Sequence, residues 1–146
     1  MSSPTKYTLI GFALLVIAIQ FIPVERDNPL TDKEMEIKAL PEIKSILTRS
    51  CYDCHSNQTE WPFYSYIAPV SWLVASDVHE GREHINFSRW QSYTEKQIAK
   101  RKEHIVDEIM EDGMPLPKYV WMHPSAKLSN EDKELLKKWL TPESEE

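Results

Sequence analysis

The sequence predicts an all-α fold. Its 146 residues include only three glycines against ten prolines, a composition typical of helices joined by stiff loops rather than of hairpins. Apolar residues recur at steps of three and four in four segments, and no segment gives a convincing strand pattern. The length allows one compact domain with a short accessory segment.

Charge and composition exclude one broad class of function. Hydrophobic residues make up 41% and charged residues 27% of the chain, which is typical of a globular protein. The formal net charge is −6, and no clustered basic surface is visible, so nucleic acid is not an expected partner. The acidic balance is compatible with a basic protein partner, although ordinary solubility explains it equally well.

The longest apolar run, Tyr7 to Val24, predicts a single N-terminal transmembrane helix. Its length is near the lower limit for spanning a bilayer, and Lys6 on its short side predicts a cytoplasmic N-terminus. A secretory signal peptide has the same order of charge and apolar residues, but no small-x-small cleavage site follows this run. We therefore expect an uncleaved anchor. The predicted organisation is an anchor or signal segment over 1–26, a linker over 27–40, a helical domain over 41–141 and an acidic tail over 142–146.

Helix signals divide the domain into four segments. The first begins at Pro41, and its Ile43, Ile46 and Leu47 share a face with Cys51 and Cys54. The second is predicted from Pro69 to near Gly81, and its apolar residues are Val70, Leu73, Val74 and Val78. The third begins at a capping box formed by Thr94 and Gln97 and ends at Gly113. The fourth begins at a cap formed by Ser129 and Asp132 and ends at Leu140. A loop from Met114 to Leu128 separates the last two.

The motif that carries chemistry is Cys51-Tyr52-Asp53-Cys54-His55. C-x-x-C-H is the attachment signature of c-type haem. Two thiols three residues apart at a helix end can each bind one vinyl group of haem, and the histidine that follows then lies under the iron. Covalent attachment also holds the cofactor in a domain whose own core is small.

Three other interpretations of these cysteines remain open at this point. A redox-active C-x-x-C motif is expected beside a thioredoxin-like βαβ pattern, and the chain lacks one. A zinc site needs two further ligands, for which His79, His84, His104 and His123 have no supporting spacing. A disulfide across a two-residue gap adds little stability. Haem attachment is the preferred interpretation.

The chain resembles a cytochrome c in this motif helix, the aromatic middle segment, the Met-Pro loop and the capped last helix. More narrowly, it resembles the bacterial haem-binding domain family of small membrane-attached cytochrome-like proteins. The matching residues are CYDCHSNQTEWPFYSYIAPVSWLV, GREHINFSRW and MPLPKYVWMHPSAKLS, which cover most of Pro41 to Leu140. The resemblance implies one covalent haem c and an electron-carrying role in the periplasm.

Met114 is the preferred second axial ligand beside His55. It begins a proline-rich loop after a helix, like the Met-Pro ligand loop of cytochromes c, and Met122 and His123 in the same loop are alternatives. Arg82 is a candidate partner for a haem propionate because guanidinium binds carboxylate in a bidentate geometry, although a solvated surface arginine is an equal alternative. Trp61 is a candidate for a propionate hydrogen bond or for the haem wall.

The predicted function is therefore electron transfer by a mono-haem cytochrome rather than enzymatic catalysis. The haem supplies the redox chemistry, while the protein supplies ligands, burial and a surface for redox partner proteins. The expected location is the periplasmic side of the inner membrane. The alternatives are a redox or gas sensor with a displaceable sixth ligand and a small peroxidase-like enzyme, and the Met-Pro loop favours the electron carrier.

Overall fold

The computed structural model describes residues 3–141, and every regular element in that range is helical. The predicted acidic tail, 142–146, lies outside the described residues. The α-helices are α1 (Ser3–Ile19), α2 (Pro41–Ser50), α3 (Tyr52–His55), α4 (Val70–His84), α5 (Glu95–Met110), α6 (Pro117–Met122) and α7 (Asn130–Leu140). Three 3-10 turns lie at Phe63–Tyr66, Phe87–Ser92 and Pro124–Ala126. The all-α prediction is confirmed.

The N-terminal helix is shorter than the apolar run predicts. α1 ends at Ile19, and after a turn the chain has no regular structure from Pro23, a residue that cannot continue a helix interior. Between residues 3 and 141 we find no helix with the length and apolarity needed to cross a bilayer. A transmembrane helix over Tyr7 to Val24 is therefore not supported.

The segment predicted as a linker is bound to the domain. The side-chain amide of Asn28 donates to the carbonyl of Thr59 at 2.9 Å, and Arg26, just before this segment, donates to the carbonyl of Ser65 at 3.0 Å. Further along, Ile37 is buried in the core and its backbone N–H donates to the carbonyl of Phe87. Residues 27–40 consequently contribute both hydrogen bonds and apolar contacts to the folded domain.

The core lies between α2, α5 and α7. Leu47 of α2 and Leu136 of α7 are almost completely buried, and Arg49 joins the same two helices through Asp132 at 2.8 Å. Both predicted capping boxes are present, at Thr94–Gln97 and Ser129–Asp132. The remaining buried apolar residues of this cluster are Ile37, Ile43, Ile46, Tyr52, Ile85, Phe87, Trp90, Ile109 and Leu128.

α4 buries only part of the face that its apolar residues predict. Val78 is buried as predicted, but Leu73 is 52% exposed and Val70 is also exposed. The other buried residues of the helix are the small ones Ser71, Ala75 and Gly81. The helix also extends three residues beyond the predicted end near Gly81. Gly81 lies directly against the backbone of Cys54 in α3, so close approach as well as hydrophobicity decides which residues of α4 are buried.

The connection between α5 and α7 contains a helix that the sequence prediction missed. The predicted loop Met114 to Leu128 includes α6 and the turn at Pro124–Ala126, each with a proline at its first position. α5 itself ends at Met110, and the left-handed residue after it is Asp112, at φ 59°, rather than the expected terminator Gly113. The Asp112 carboxylate accepts a hydrogen bond from Lys133 of α7 at 2.6 Å.

Candidate functional site

A cavity of about 560 Å³ opens beside the C-x-x-C-H motif. Its size is in the range of small-molecule and cofactor sites, roughly 300–1,000 Å³. It is lined by both cysteines and His55 of the motif, by α4 and α5, and by the chain from Met114 to Tyr119. The apolar lining residues are Ile85, Phe87, Ile105, Ile109, Pro115 and Leu116. The motif therefore faces a largely apolar chamber.

The motif forms its own short helix. α2 ends at Ser50, Cys51 has non-helical backbone angles (φ −130°, ψ −32°), and α3 carries Tyr52 to His55. The sequence predicts both cysteines at the end of one continuous amphipathic helix, whereas the break at Cys51 redirects the motif. Both thiols and the imidazole consequently line the same cavity.

His55 is held by backbone carbonyls at the end of α4. Its Nδ1 lies 2.9 Å from the carbonyl oxygen of Gly81 and 3.2 Å from that of Ile85. Carbonyl oxygens only accept, so Nδ1 carries the proton and the lone pair is on Nε2. Burial lowers the pKa of His55, which keeps the imidazole neutral. A neutral histidine whose Nδ1 is bonded to protein is the form that ligates a metal through Nε2.

Gly81 allows this arrangement. A methyl group at Gly81 would lie 2.5 Å from the carbonyl oxygen of Cys54 and 3.1 Å from its Cβ, closer than side-chain carbons pack against backbone. Only a residue without Cβ lets α4 approach α3 this closely. The sequence prediction placed Gly81 at the end of a helix, whereas the structure gives it a packing role inside the helix.

The geometry does not favour the other interpretations of the cysteines. Burial raises the pKa of both Cys51 and Cys54 to about 12. The charge of Cys54 adds to the rise for Cys51, and the carboxylates of Asp53 and Asp77 add to the rise for Cys54. A redox-active cysteine needs the opposite shift of its pKa. Both thiols are free, so no disulfide joins them. Within residues 3–141, no three His, Cys, Asp or Glu side chains are arranged to hold a metal ion, as a zinc site requires.

Of the three candidate sixth ligands, the structure brings only Met114 to the cavity wall. Met122 is not among the lining residues and is 44% exposed. The ring of His123 stacks on that of Tyr119 with centroids 4.3 Å apart, and its Nε2 lies 3.3 Å from the hydroxyl of Tyr64. Met114 shares the cavity with His55, as a pair of axial ligands would.

Arg82 and Trp61 are not among the cavity-lining residues. The Arg82 guanidinium donates to the carbonyls of Ser56 and Asp27 and to the side chains of Asn28 and Thr59, so its donors are used within the protein. The indole nitrogen of Trp61 is buried without a hydrogen-bond partner in the described part of the chain. Propionate binding by either residue stays a prediction. Arg82 has an evident role in attaching the N-terminal segment to the motif.

The lining also contains residues that the sequence analysis did not single out. Lys118 and Tyr119 of α6 line the cavity, and so do Asp77 and Glu80 of α4. The positions of Lys118 and Tyr119 depend on α6, which lies inside a segment predicted as loop. Pro117 at the first position of α6 is the local signal that could have revealed it.

Comparison with known proteins agrees with this geometry. The family model described as "Haem-binding domain" matches residues 14–142. The chain belongs to the haem-binding domain family. The match includes the motif helix, the cavity-lining residues and all of α7.

One curated relative of this family member is a cytochrome c peroxidase, Ccp, of Escherichia coli strain K12. The two are 22% identical over an alignment of 154 residues, which covers all of this chain but only 33% of the peroxidase. The chain thus spans about a third of the length of this relative. No solved structure matches the chain.

The cavity residues fit the haem that the family name implies. Two thiols and a histidine with a free Nε2 meet in one apolar chamber, and a thioether side chain lines the same chamber. These are the groups that attach a haem and ligate its iron in c-type cytochromes. Ile105 and Ile109 of α5 would pack against an apolar macrocycle and exclude water from it.

We expect Gly81→Ala to destabilise the haem-loaded protein by about 1–3 kcal/mol, because a Cβ at this position overlaps the Cys54 backbone and separates α3 from α4. Urea unfolding followed by circular dichroism measures the loss. Gly11→Ala is the matched control, since a Cβ there has no atom within 4 Å. If both variants unfold at the wild-type urea concentration, the close packing at Gly81 is not important for stability.

Proposed function

We propose that this haem-binding domain is a mono-haem c-type cytochrome that carries electrons, with haem attached to Cys51 and Cys54 and ligated by His55 and Met114. One observation supports the proposal above all others. A single cavity is lined by both cysteines of the motif, a histidine whose Nδ1 is bonded to backbone carbonyls, and a methionine.

Covalent attachment needs no oxidant. Each cysteine S–H adds across one vinyl C=C bond of the haem, so that sulfur bonds to one carbon and hydrogen to the other, and two thioethers form without a net change in oxidation state. Cys51 and Cys54 flank two residues of α3 and both line the cavity, which supports this pairing of two thiols with one macrocycle.

Ligation by His55 and Met114 supports electron transfer rather than catalysis. When bound, haem supplies an iron that accepts or donates one electron. The protein's part is to occupy both axial positions and to bury the group, because filled positions leave none open for substrate. A thioether ligand and an apolar wall both favour the reduced form and raise the potential.

We further propose that the domain acts on the periplasmic side of the bacterial inner membrane, with redox proteins as partners. α1 supports attachment to the membrane, since its apolar side chains are exposed along the helix, with Phe12 at 65%. Contiguous exposed apolar surface on a protein indicates contact with a membrane or another protein.

A second candidate function is a peroxidase-like activity or ligand sensing at the iron, supported by the similarity to cytochrome c peroxidase. It requires that Met114 leave the iron or never bind it. The imidazoles of His84 and His104 and the carboxylates of Glu80 and Glu108 line the same cavity, so polar groups are present near such an opened site.

Covalent attachment predicts that haem stays with the chain under denaturing conditions. We expect a haem-stained band after denaturing electrophoresis of protein made with c-type maturation, and none from the Cys51→Ala, Cys54→Ala double variant. Antibody staining of the same gel is the control for the amount of chain. A double variant that retains the stain would contradict attachment at these cysteines.

Ligation by Met114 predicts a weak sulfur-to-iron charge-transfer band in the red absorption of the oxidised protein. Met114→Ala should abolish the band, lower the potential and allow carbon monoxide to bind the reduced form. Met122→Ala and His123→Ala are the controls and should retain the band. Loss of the band in Met122→Ala alone would assign the ligand there. A wild type that binds carbon monoxide readily favours the second candidate function.

Membrane attachment through an uncleaved N-terminus predicts that native protein purified from membranes retains residues 1–24. Intact-mass spectrometry of the haem-loaded chain measures this directly. A mature N-terminus beyond Val24 would identify the segment as a signal peptide instead.

A further inference from the structure

The segment Met114–Met122, which we term the strap, forms one wall of the cavity. Its first end is fixed by the end of α5, because the backbone N–H groups of Gly113 and Met114 both donate to the carbonyl of Glu108, at 2.9 and 3.2 Å. Met114, Pro115, Leu116, Lys118 and Tyr119 line the cavity. The strap is therefore the element that sets where the Met114 sulfur lies.

Beyond Met114, side chains of the strap bind the opposite side of the site. The Tyr119 hydroxyl donates to the Asp53 carboxylate at 2.6 Å, which joins the strap to α3 between the two motif cysteines. Lys118 pairs with Asp77 of α4 at 2.8 Å. The strap is thus attached to both helices that carry or support the motif.

The two contacts differ in their surroundings. Lys118 is about half exposed, so water and salt screen its pair with Asp77. The Tyr119–Asp53 bond is partly buried and joins a phenol to a carboxylate, which makes it the stronger type of hydrogen bond. Burial, followed by the bond to Asp53 and the charge of Asp53, raises the pKa of Tyr119, so the phenol remains a donor.

The far end of the strap is supported by stacking. His123, the residue after it, stacks on the Tyr119 ring, and its Nε2 approaches the hydroxyl of Tyr64. The stacking supports the Tyr119 ring in addition to its bond to Asp53. They also explain why His123 is engaged in the protein rather than directed into the cavity.

We propose that Tyr119 is a positioning residue, which acts through its bond to Asp53 to hold the strap closed and Met114 on the haem iron. The inference rests on the proposed His55/Met114 ligation. Lys118 supports the same closure more weakly. Release of the Tyr119 bond frees the strap to swing away from α3 and exposes the sixth position to external ligands.

The test is displacement of Met114 from the oxidised, haem-loaded full chain by added imidazole, followed through the red charge-transfer band. Tyr119→Phe removes only the hydroxyl, and loss of a hydrogen bond to a charged group corresponds to a rise of about tenfold or more in apparent imidazole affinity. Carbon monoxide binding to the reduced form should accelerate in parallel. Lys118→Gln should give a smaller rise that disappears at high salt.

Tyr93→Phe is the matched control. The Tyr93 hydroxyl also makes a hydrogen bond, accepting from the backbone N–H of Asn86 at 3.1 Å, but Tyr93 does not line the cavity. We expect it to change unfolding without changing imidazole affinity. If Tyr119 contributed only to stability, Tyr119→Phe and Tyr93→Phe would instead have the same imidazole affinity.

The outcomes separate the two proposals. A wild type with the red band and a Tyr119→Phe variant with unchanged imidazole affinity overturn the positioning role and leave His55/Met114 ligation standing. A wild type without the band overturns that ligation and the positioning role together. A higher imidazole affinity in Tyr119→Phe but not in Tyr93→Phe supports the proposal.

Discussion

The direct packing of the Cys54 backbone on Gly81 is the contact on which the rest of the site depends. It brings the motif helix α3 against α4, and thereby places the carbonyls of Gly81 and Ile85 within hydrogen-bond distance of His55. Those carbonyls fix the tautomer and ring orientation of the histidine. Because interiors are closely packed and yield little, a small displacement at this contact moves the imidazole as well as both thiols.

The two sides of the cavity are built by different forces. The side formed by α3 and α4 relies on close backbone packing and on hydrogen bonds to backbone carbonyls, which have few alternative arrangements. The strap side relies on side-chain contacts, through Tyr119 and Lys118, that can break without unfolding the core. In the proposed function this asymmetry gives a fixed proximal ligand and a distal ligand whose retention depends on two side chains. If Met114 stays on the iron, electron transfer is favoured. If Met114 is released, chemistry with small external ligands is favoured.

Local signals predicted much of the helical architecture. The capping boxes at Thr94 and Ser129 and the proline at position 41 were correctly assigned, because each acts within one turn of its own helix. The family resemblance was also confirmed over most of the chain. Predictions that depended on distant partners were less successful. The predicted buried face of α4 was correct at Val78 but wrong at Val70 and Leu73, which are exposed. α6 was missed because a six-residue helix has little periodicity.

The sequence alone determined the all-α class, the haem-binding family and the motif in which Cys51, Cys54 and His55 are neighbours, since all three residues lie within one helical turn or two. Only the tertiary structure decided which distant side chains share their cavity. It brought Met114 to the wall, engaged His123 with Tyr119 and Tyr64, and bound Arg82 to the N-terminal segment. The physical reason is that these positions are set by contacts between segments far apart in the chain, whose geometry no local pattern of residues encodes.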